Sequence, residues 1–374
     1  MPTSKRPAGG SRRSSPARRS APKRQARPAP ASAHMPDSRA RAAGSRRFFA
    51  VMVLVLCVAA VVLCVVAAAR LTGLADGGAP AVTGVTTDVT FASARGTNLH
   101  ATITLPDYLA DEDTANDADA PLVVMCHGFT GNRGGDGHFQ PLADTLAASG
   151  IASIRVDFAG NGESEEPFTA YTLQSMYDDI ESAISYMRGA YPITQVGLLG
   201  HSMGGRVVSL HLSESIAAAA LWSPANGNGL NGLEFIDHDA NNLESMRQAA
   251  VEAGSYDVSG WNVTISADFV NQMDTSHPCD FIREYTGALL VAFNGGDTEL
   301  LSQTTIDDTL QAAKDRGTDF IDLSGQFANA NHNYQSAAGD EAETAAISES
   351  IEGQTAQFFI DALLPADDAD ADAA

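Results

Sequence analysis

The chain has 374 residues, 46 of them acidic and 23 basic, for a formal net charge of −23. Its length suits one large domain with appendages. Four cysteines make no disulfide framework, and no His, Cys, Asp and Glu grouping has metal-ligand spacing, so neither a disulfide-stapled module nor a metal or other cofactor is expected.

The charge is unevenly divided. Residues 1–47 hold 13 Lys and Arg against Asp37 alone, whereas residues 71–374 hold 9 against 45 Asp and Glu. The arm 1–47 is rich in Pro, Ser, Ala and Arg and cannot bury enough apolar surface to fold. It reads as a disordered topology determinant, and no nucleic-acid partner is expected. Phe48 to Ala69, "FFAVMVLVLCVAAVVLCVVAAA", runs for 22 residues without a charge. At about 1.5 Å per helical residue it spans a hydrocarbon core of roughly 30 Å. Arg46 and Arg47 keep the N-terminus inside and send the acidic body outside the cytoplasm. The run exceeds the apolar core of a cleaved signal peptide, so residues 48–69 read as a single-pass signal anchor in the cell membrane. Ala67-Ala68-Ala69 leave cleavage and secretion open. Cys57 and Cys64 lie within this span as small hydrophobes.

After a linker, 70–84, Val85 to Leu105 alternates as an antiparallel hairpin turning at Gly96-Thr97-Asn98. Asp111 to Asp119 lacks the spacing of a calcium loop and reads as a solvated surface loop. From Pro121 the chain alternates strands (Leu122 to Met125, Ile151 to Val156, Gln195 to Leu199, Ala217 to Trp222) with helices (Pro141 to Ser149, Leu173 to Ala190, 203–214). That rhythm predicts a mostly parallel sheet with helices on both faces and its chemistry at the carboxyl ends of the strands. Residues 227–286 interrupt it with Gly, Asn and Asp clusters and irregular helical patches, as a lid would. It resumes with the strand Ala288 to Phe293, a helix Thr305 to Arg316, a strand Thr318 to Leu323 and a last helix Glu341 to Leu364. The domain thus spans 85–364, followed by an acidic disordered tail, 365–374.

The chemistry centres on "LLGHSMGG", where Ser202 lies between Gly200 and Gly204 at the end of an apolar strand and before a helix. Strand, tight turn and helix are the setting of a nucleophile elbow. On an α/β-hydrolase scaffold the partners follow in the order serine, acid, histidine. Only His332, in "NANHNY", lies beyond the strand ending at Phe293. Asp297, after "LLVAFNGG", is the candidate acid, with Glu299 as the alternative. The serine needs a base to remove its proton, and the base needs a carboxylate to fix its tautomer. Two backbone N–H groups must meet the developing oxyanion: Met203, directly after the serine, and Phe129, in "VVMCHGFTGNR". His127 and His201 are expected to brace loop backbone. In the lid, Phe235, Trp261 and Phe269 offer apolar walls, while Asp237, His238 and Asp239 offer polar groups for a substrate. The other reading packs the aromatics onto the core and turns the polar trio to water. Cys126 and Cys279 could pair outside the cell, but their spacing does not call for it.

"HGFTGNR", "VDFAGNGES", "GLLGHSMGG", "NGGD" and "NANHNY", in that order over residues 85–364, resemble the α/β-hydrolases grouped with bacterial cinnamoyl (feruloyl) esterases, monoacylglycerol lipases and serine aminopeptidases. The resemblance implies Ser202, Asp297 and His332 as a triad, Phe129 and Met203 as oxyanion donors, and a lid between the sixth and seventh strands. It implies a structural role for Asp157 and Ser164. Two departures are Asn161, where many relatives have His, and the membrane anchor. The expected activity is carboxylic ester hydrolysis on a small or aromatic acyl group. The alternatives are an aminopeptidase-like amidase, a monoacylglycerol lipase-like enzyme or, outside the enzymes, an inactive fold used for binding.

Overall fold

A computed structural model of the chain describes residues 84–110 and 119–365. The expected basic arm, the apolar span 48–69, nearly all of the linker, the acidic segment 111–118 and the tail from 366 lie outside the described residues. Among the described residues no helix is long and apolar enough to cross a membrane.

The domain is built on an eight-stranded sheet. β1 (Gly84–Ala92) and β2 (Asn98–Pro106) form the expected hairpin, closed by Gly96 N–H donating to the Ser93 carbonyl. β2 then runs antiparallel to β4 (Ala152–Val156). From β4 the order continues through β3 (Ala120–Cys126), β5 (Ile193–His201), β6 (Ala218–Trp222), β9 (Ala288–Ala292) and β10 (Ile321–Asp322), all parallel.

β3 is buried along its whole length, and its alternate residues enter two different cores. Val123 and Met125 pack with Phe139 and Leu142 of α1 (Phe139–Ala148) and Phe359 of α8 (Glu341–Leu363). Leu122 and Val124 pack with Met176 and Ile180 of α2 (Leu173–Ala190) and Val207 of α3 (Met203–His211). A strand apolar on both faces is what a parallel sheet covered on both sides requires. Helix starts follow local chemistry: Thr172 and Ser175 form a reciprocal capping box at α2, and Asp340 accepts from Glu343 N–H at α8.

Two expectations are corrected. The insert 227–286, expected as a lid, is no set of irregular helical patches. It holds α4 (Ala240–Ala253), an antiparallel hairpin of β7 (Ser255–Val258) and β8 (Val263–Ser266), then α5 (Ala267–Asp274) and α6 (Pro278–Glu284). The expected strand 318–323 shrinks to Ile321–Asp322, because it lies at the sheet edge and the Asp322 carboxylate accepts from Ser324 N–H, turning the chain. Cys126 and Cys279 are both buried and free. α7 (Gln303–Asp315) completes the fold before β10.

Candidate active site

β5 ends directly beneath Ser202, whose φ of 55° and ψ of −116° lie outside the regions an ordinary serine occupies. Surrounding hydrogen bonds hold this backbone in place: Ser202 N–H donates to the Trp222 carbonyl, and its own carbonyl accepts from Ala225 and Arg206 N–H. The flanking glycines are explained by the same turn. A Cβ on Gly200 would lie 2.3 Å from the Gly204 carbonyl oxygen, and one on Gly204 would lie 2.1 Å from that of Cys126. No other residue fits at either position without moving backbone.

The Ser202 hydroxyl lies 2.9 Å from His332 Nε2, and His332 Nδ1 lies 2.6 Å from Asp297 Oδ1. The ionised carboxylate only accepts, so Nδ1 carries the proton and Nε2 is free to accept the hydroxyl proton. Asp297 is wholly buried, yet its second oxygen is satisfied: it accepts from the Ser223 hydroxyl at 2.8 Å and from Asn294 N–H at 2.7 Å. Asn294 Nδ2 donates in turn to the Ser223 hydroxyl, and the Tyr334 hydroxyl donates to the Ala292 carbonyl beside it. Burial, with the Asp297 charge next to it, pushes the Tyr334 hydroxyl well above its usual range, so it stays protonated. The acid and base loops are also zipped together by Gly295 N–H to the Phe327 carbonyl and Gly296 N–H to that of Ala330. Glu299, the alternative acid, is exposed; its backbone carbonyl, not its carboxylate, meets another side chain of the site.

The third wall is the loop after β3. A Cβ on Gly128 would lie only 3.1 Å from that of Ser202, so this loop passes directly beside the nucleophile. The N–H of Phe129 has no hydrogen-bond acceptor among the described residues. Met203 opens α3, where the first N–H groups have no partner within the helix. These two donors are therefore available to a ligand. Thr130, a β-branched residue at φ 58°, stores strain in the same turn. His127 braces it, as expected. Phe158 N–H donates to Nε2 at 3.1 Å, which leaves Nδ1–H to donate to the Gly128 carbonyl at 2.8 Å. Burial lowers the His127 pKa to about 4, keeping this tautomer neutral near neutral pH. Arg133 joins the loop to its neighbour by pairing with the wholly buried Asp157, whose Oδ1 also accepts Arg133 N–H at 2.7 Å. Ser164 accepts from Gly160 N–H at 3.1 Å, and Asn161 Nδ2 donates to the Ala159 carbonyl, so both are used within their own loop.

The lid candidates separate. Phe269 is fully buried, whereas Phe235 and Trp261 are half-buried. All three rings surround Phe129, with centroids at 5.0 Å for Phe235, 5.4 Å for Trp261 and 6.3 Å for Phe269; Phe168 and Tyr171 complete the ring cluster. The insert 227–286 thus packs on the side chain of Phe129. Asp237 and Asp239 are occupied at the start of α4: Asp237 accepts from Asp239 N–H, and Asp239 accepts from Asn241 N–H. His238 is exposed and reaches the Glu299 carbonyl at 3.2 Å.

Sequence reasoning missed Ser223, Asn294 and Tyr334 around the acid. It also missed Arg206, which follows the elbow fully buried and donates to the Ala225 and Gly227 carbonyls and the Ser276 hydroxyl. The signal for Arg206 was present, since a charged residue in the apolar face of a helix needs a buried partner. No group of residues suited to a metal ion occurs among the described residues.

Residues 121–314, more than half the chain, match the model of the family described as alpha/beta hydrolase fold. The chain belongs to the α/β-hydrolase fold family. Among solved structures it is similar to Est1E from Butyrivibrio proteoclasticus with ferulic acid bound, at 22% identity and a TM-score of 0.53, covering 72% of this chain and 99% of that one. The Pyrococcus furiosus esterase Pf2001 matches at 16% identity and a TM-score of 0.51, over 75% of this chain and 92% of that one. The Pyrococcus horikoshii acylaminoacyl peptidase matches at 15% identity and a TM-score of 0.54, over 75% of this chain but 42% of that one. At these identities the likeness is one of fold, and with the family it supports a hydrolase. No curated protein sequence matches the chain.

Proposed function

We propose that the chain is a serine esterase that cleaves carboxylic esters through an acyl-enzyme on Ser202. The reading rests on one observation: a hydroxyl, an imidazole and a buried carboxylate aligned at 2.9 and 2.6 Å, beside an N–H with no acceptor. His332 Nε2 takes the hydroxyl proton as Ser202 Oγ attacks the ester carbonyl carbon. The carbonyl oxygen becomes an oxyanion held by the N–H groups of Phe129 and Met203. His332 then gives its proton to the leaving alcohol, forming the acyl-enzyme. Water, deprotonated by the same imidazole, releases the acid and restores Ser202. Asp297 holds the imidazole tautomer and stabilises its cation throughout.

The half-buried Phe235 and Trp261 beside Phe129 favour a small or aromatic acyl group over a long chain. The test is turnover of acetate, butyrate, laurate and hydroxycinnamate esters, alongside aminoacyl anilides, by the full-length protein and Ser202→Ala. The reading requires ester hydrolysis that the substitution abolishes, fastest on acetate or hydroxycinnamate. Faster cleavage of the anilides would move the assignment to an amidase.

The uncharged span 48–69 behind Arg46 and Arg47 supports a second part of the reading, a catalytic domain held outside the cytoplasm by a single membrane anchor. Protease added to intact cells would remove the acidic domain and spare the basic arm. A protected domain would reject this topology.

A further inference from the structure

Two further histidines grip consecutive carbonyls of the loop that presents His332. His201 Nε2 lies 2.9 Å from the His332 carbonyl oxygen, and His138 Nε2 lies 2.9 Å from that of Asn333. They come from different elements: His201 ends β5 immediately before the nucleophile, and His138 precedes α1. The two grips differ in how their protons are held. His201 is buried, and its nearest carboxylate, Asp136, lies 3.9 Å from Nδ1, beyond a hydrogen bond. A single proton on Nε2 satisfies its contact. Burial, reinforced by the charge of His332, lowers the His201 pKa to about 3, so this grip does not change near neutral pH.

His138 has no such freedom. Its Nδ1 lies 2.8 Å from Glu352 Oε1 of α8 while its Nε2 meets the Asn333 carbonyl. A carbonyl and a carboxylate only accept, so the imidazole must donate from both nitrogens and carry a positive charge. If the shared proton lies on Glu352 instead, the pair still holds one proton more than a neutral imidazole beside a carboxylate. Removing that proton leaves a lone pair facing a lone pair either at Glu352 or at Asn333. The ring must then give up one contact.

We infer that His138 is a positioning residue for His332: protonated and paired with Glu352, it closes a two-histidine clamp on the base loop, and loss of its proton opens that clamp. The inference rests on the reading of His332 as the general base. The groups facing His138 are Glu352 from α8, Asp136 from its own turn, His201 from β5, and the base loop with His332 and Tyr334; the Trp222 ring of β6 closes the remaining side at 5.9 Å. Burial pulls the His138 pKa down, but the bonds to Glu352 and Asn333 and the charges of Glu352 and Asp136 outweigh it and leave it raised. A raised value means the clamp stays closed to a higher pH than an unperturbed imidazole would allow and opens as pH rises through that value.

The experiment is the pH profile of kcat/KM for p-nitrophenyl acetate, using the full-length protein and its His138→Gln, Glu352→Gln and Ser202→Ala variants. At each pH, an aliquot returned to neutral buffer reports irreversible loss. The parent should show a reversible alkaline limb. Glu352→Gln should move only the alkaline limb, downward by about one pH unit, since an adjacent carboxylate shifts a cation by that order. His138→Gln should remove the alkaline limb and lower kcat about tenfold, with KM nearly unchanged, because misplacing a catalytic group costs turnover more than binding. Should His138→Gln fail to fold, the partly exposed Glu352 position decides alone. An alkaline limb unmoved in Glu352→Gln, with Ser202→Ala inactive, would overturn the clamp and leave the serine mechanism standing. Parent-like turnover by Ser202→Ala would overturn both.

Discussion

The strand ends and the lid solve different problems with different forces. At the ends of β5 and β9 the polar groups that matter are fixed by directional contacts: the elbow by strained turns and glycine contacts, the fully buried Asp297 by three donors, one backbone and two side-chain. Buried polar networks of this kind tolerate almost no change, since each unmet bond carries its desolvation cost. The insert 227–286 is held chiefly by aromatic surface gathered on Phe129, with buried Arg206 tying it to the elbow helix, while Asp237 and Asp239 are used in starting a helix. Apolar contact is graded and non-directional, so substitutions there should alter stability and acyl preference by degrees.

The sharpest contrast comes from the strand ends. Ser202→Ala should lower kcat/KM for a p-nitrophenyl ester by about 10⁴-fold or more while leaving the thermal midpoint near that of the parent. Asp297→Asn should cost a comparable factor, about 10⁴, because an amide no longer fixes the imidazole tautomer, whereas Glu299→Gln should stay within about twofold. Equal losses from the two acid-site variants would dissolve the distinction between buried and exposed carboxylates.

Phe129 joins the two regions and should show both behaviours. Phe129→Ala empties the centre of the ring cluster, at about 3 kcal/mol by denaturant unfolding, and slows turnover by loosening the loop beside Ser202. Trp261→Ala, at a half-buried ring, should cost less stability and mainly reorder the acyl-ester ranking. If Trp261→Ala instead left the ranking of acetate, butyrate, laurate and hydroxycinnamate esters unchanged, the lid would not select the acyl group. The smallest effect belongs to the polar trio. Asp239→Ala removes a helix cap worth about 1 kcal/mol and should leave kcat/KM within about twofold, as should His238→Gln.

Legibility in the sequence follows the same division. Ser202, Asp297 and the loop of Phe129 each sit at the end of an apolar strand, and His332 in the loop after the last strand, where a local pattern and a fixed chain order suffice to find them. Ser223, Asn294 and Tyr334 had no such signal: Ser223 meets the acid across 74 residues of chain, and only the parallel register of β6 and β9 brings them together. The lid hairpin was readable in part. Apolar and β-branched residues flank Gly260 in "SYDVSGWNVTIS", a four-residue connection suited to a hairpin, but the surrounding helical segments masked it. β10 was overread because β-propensity does not report that an edge strand is paired on one side only.

The central claim is a covalent acyl intermediate on Ser202 generated by His332. Treating the full-length protein with a fluorophosphonate and mapping the modified peptide by mass spectrometry tests it most directly. The account predicts one adduct, on Ser202, formed at a rate that His332→Ala lowers by at least about a hundredfold and absent from Ser202→Ala. An adduct on any other residue, or labelling of Ser202→Ala at the parent rate, would contradict it.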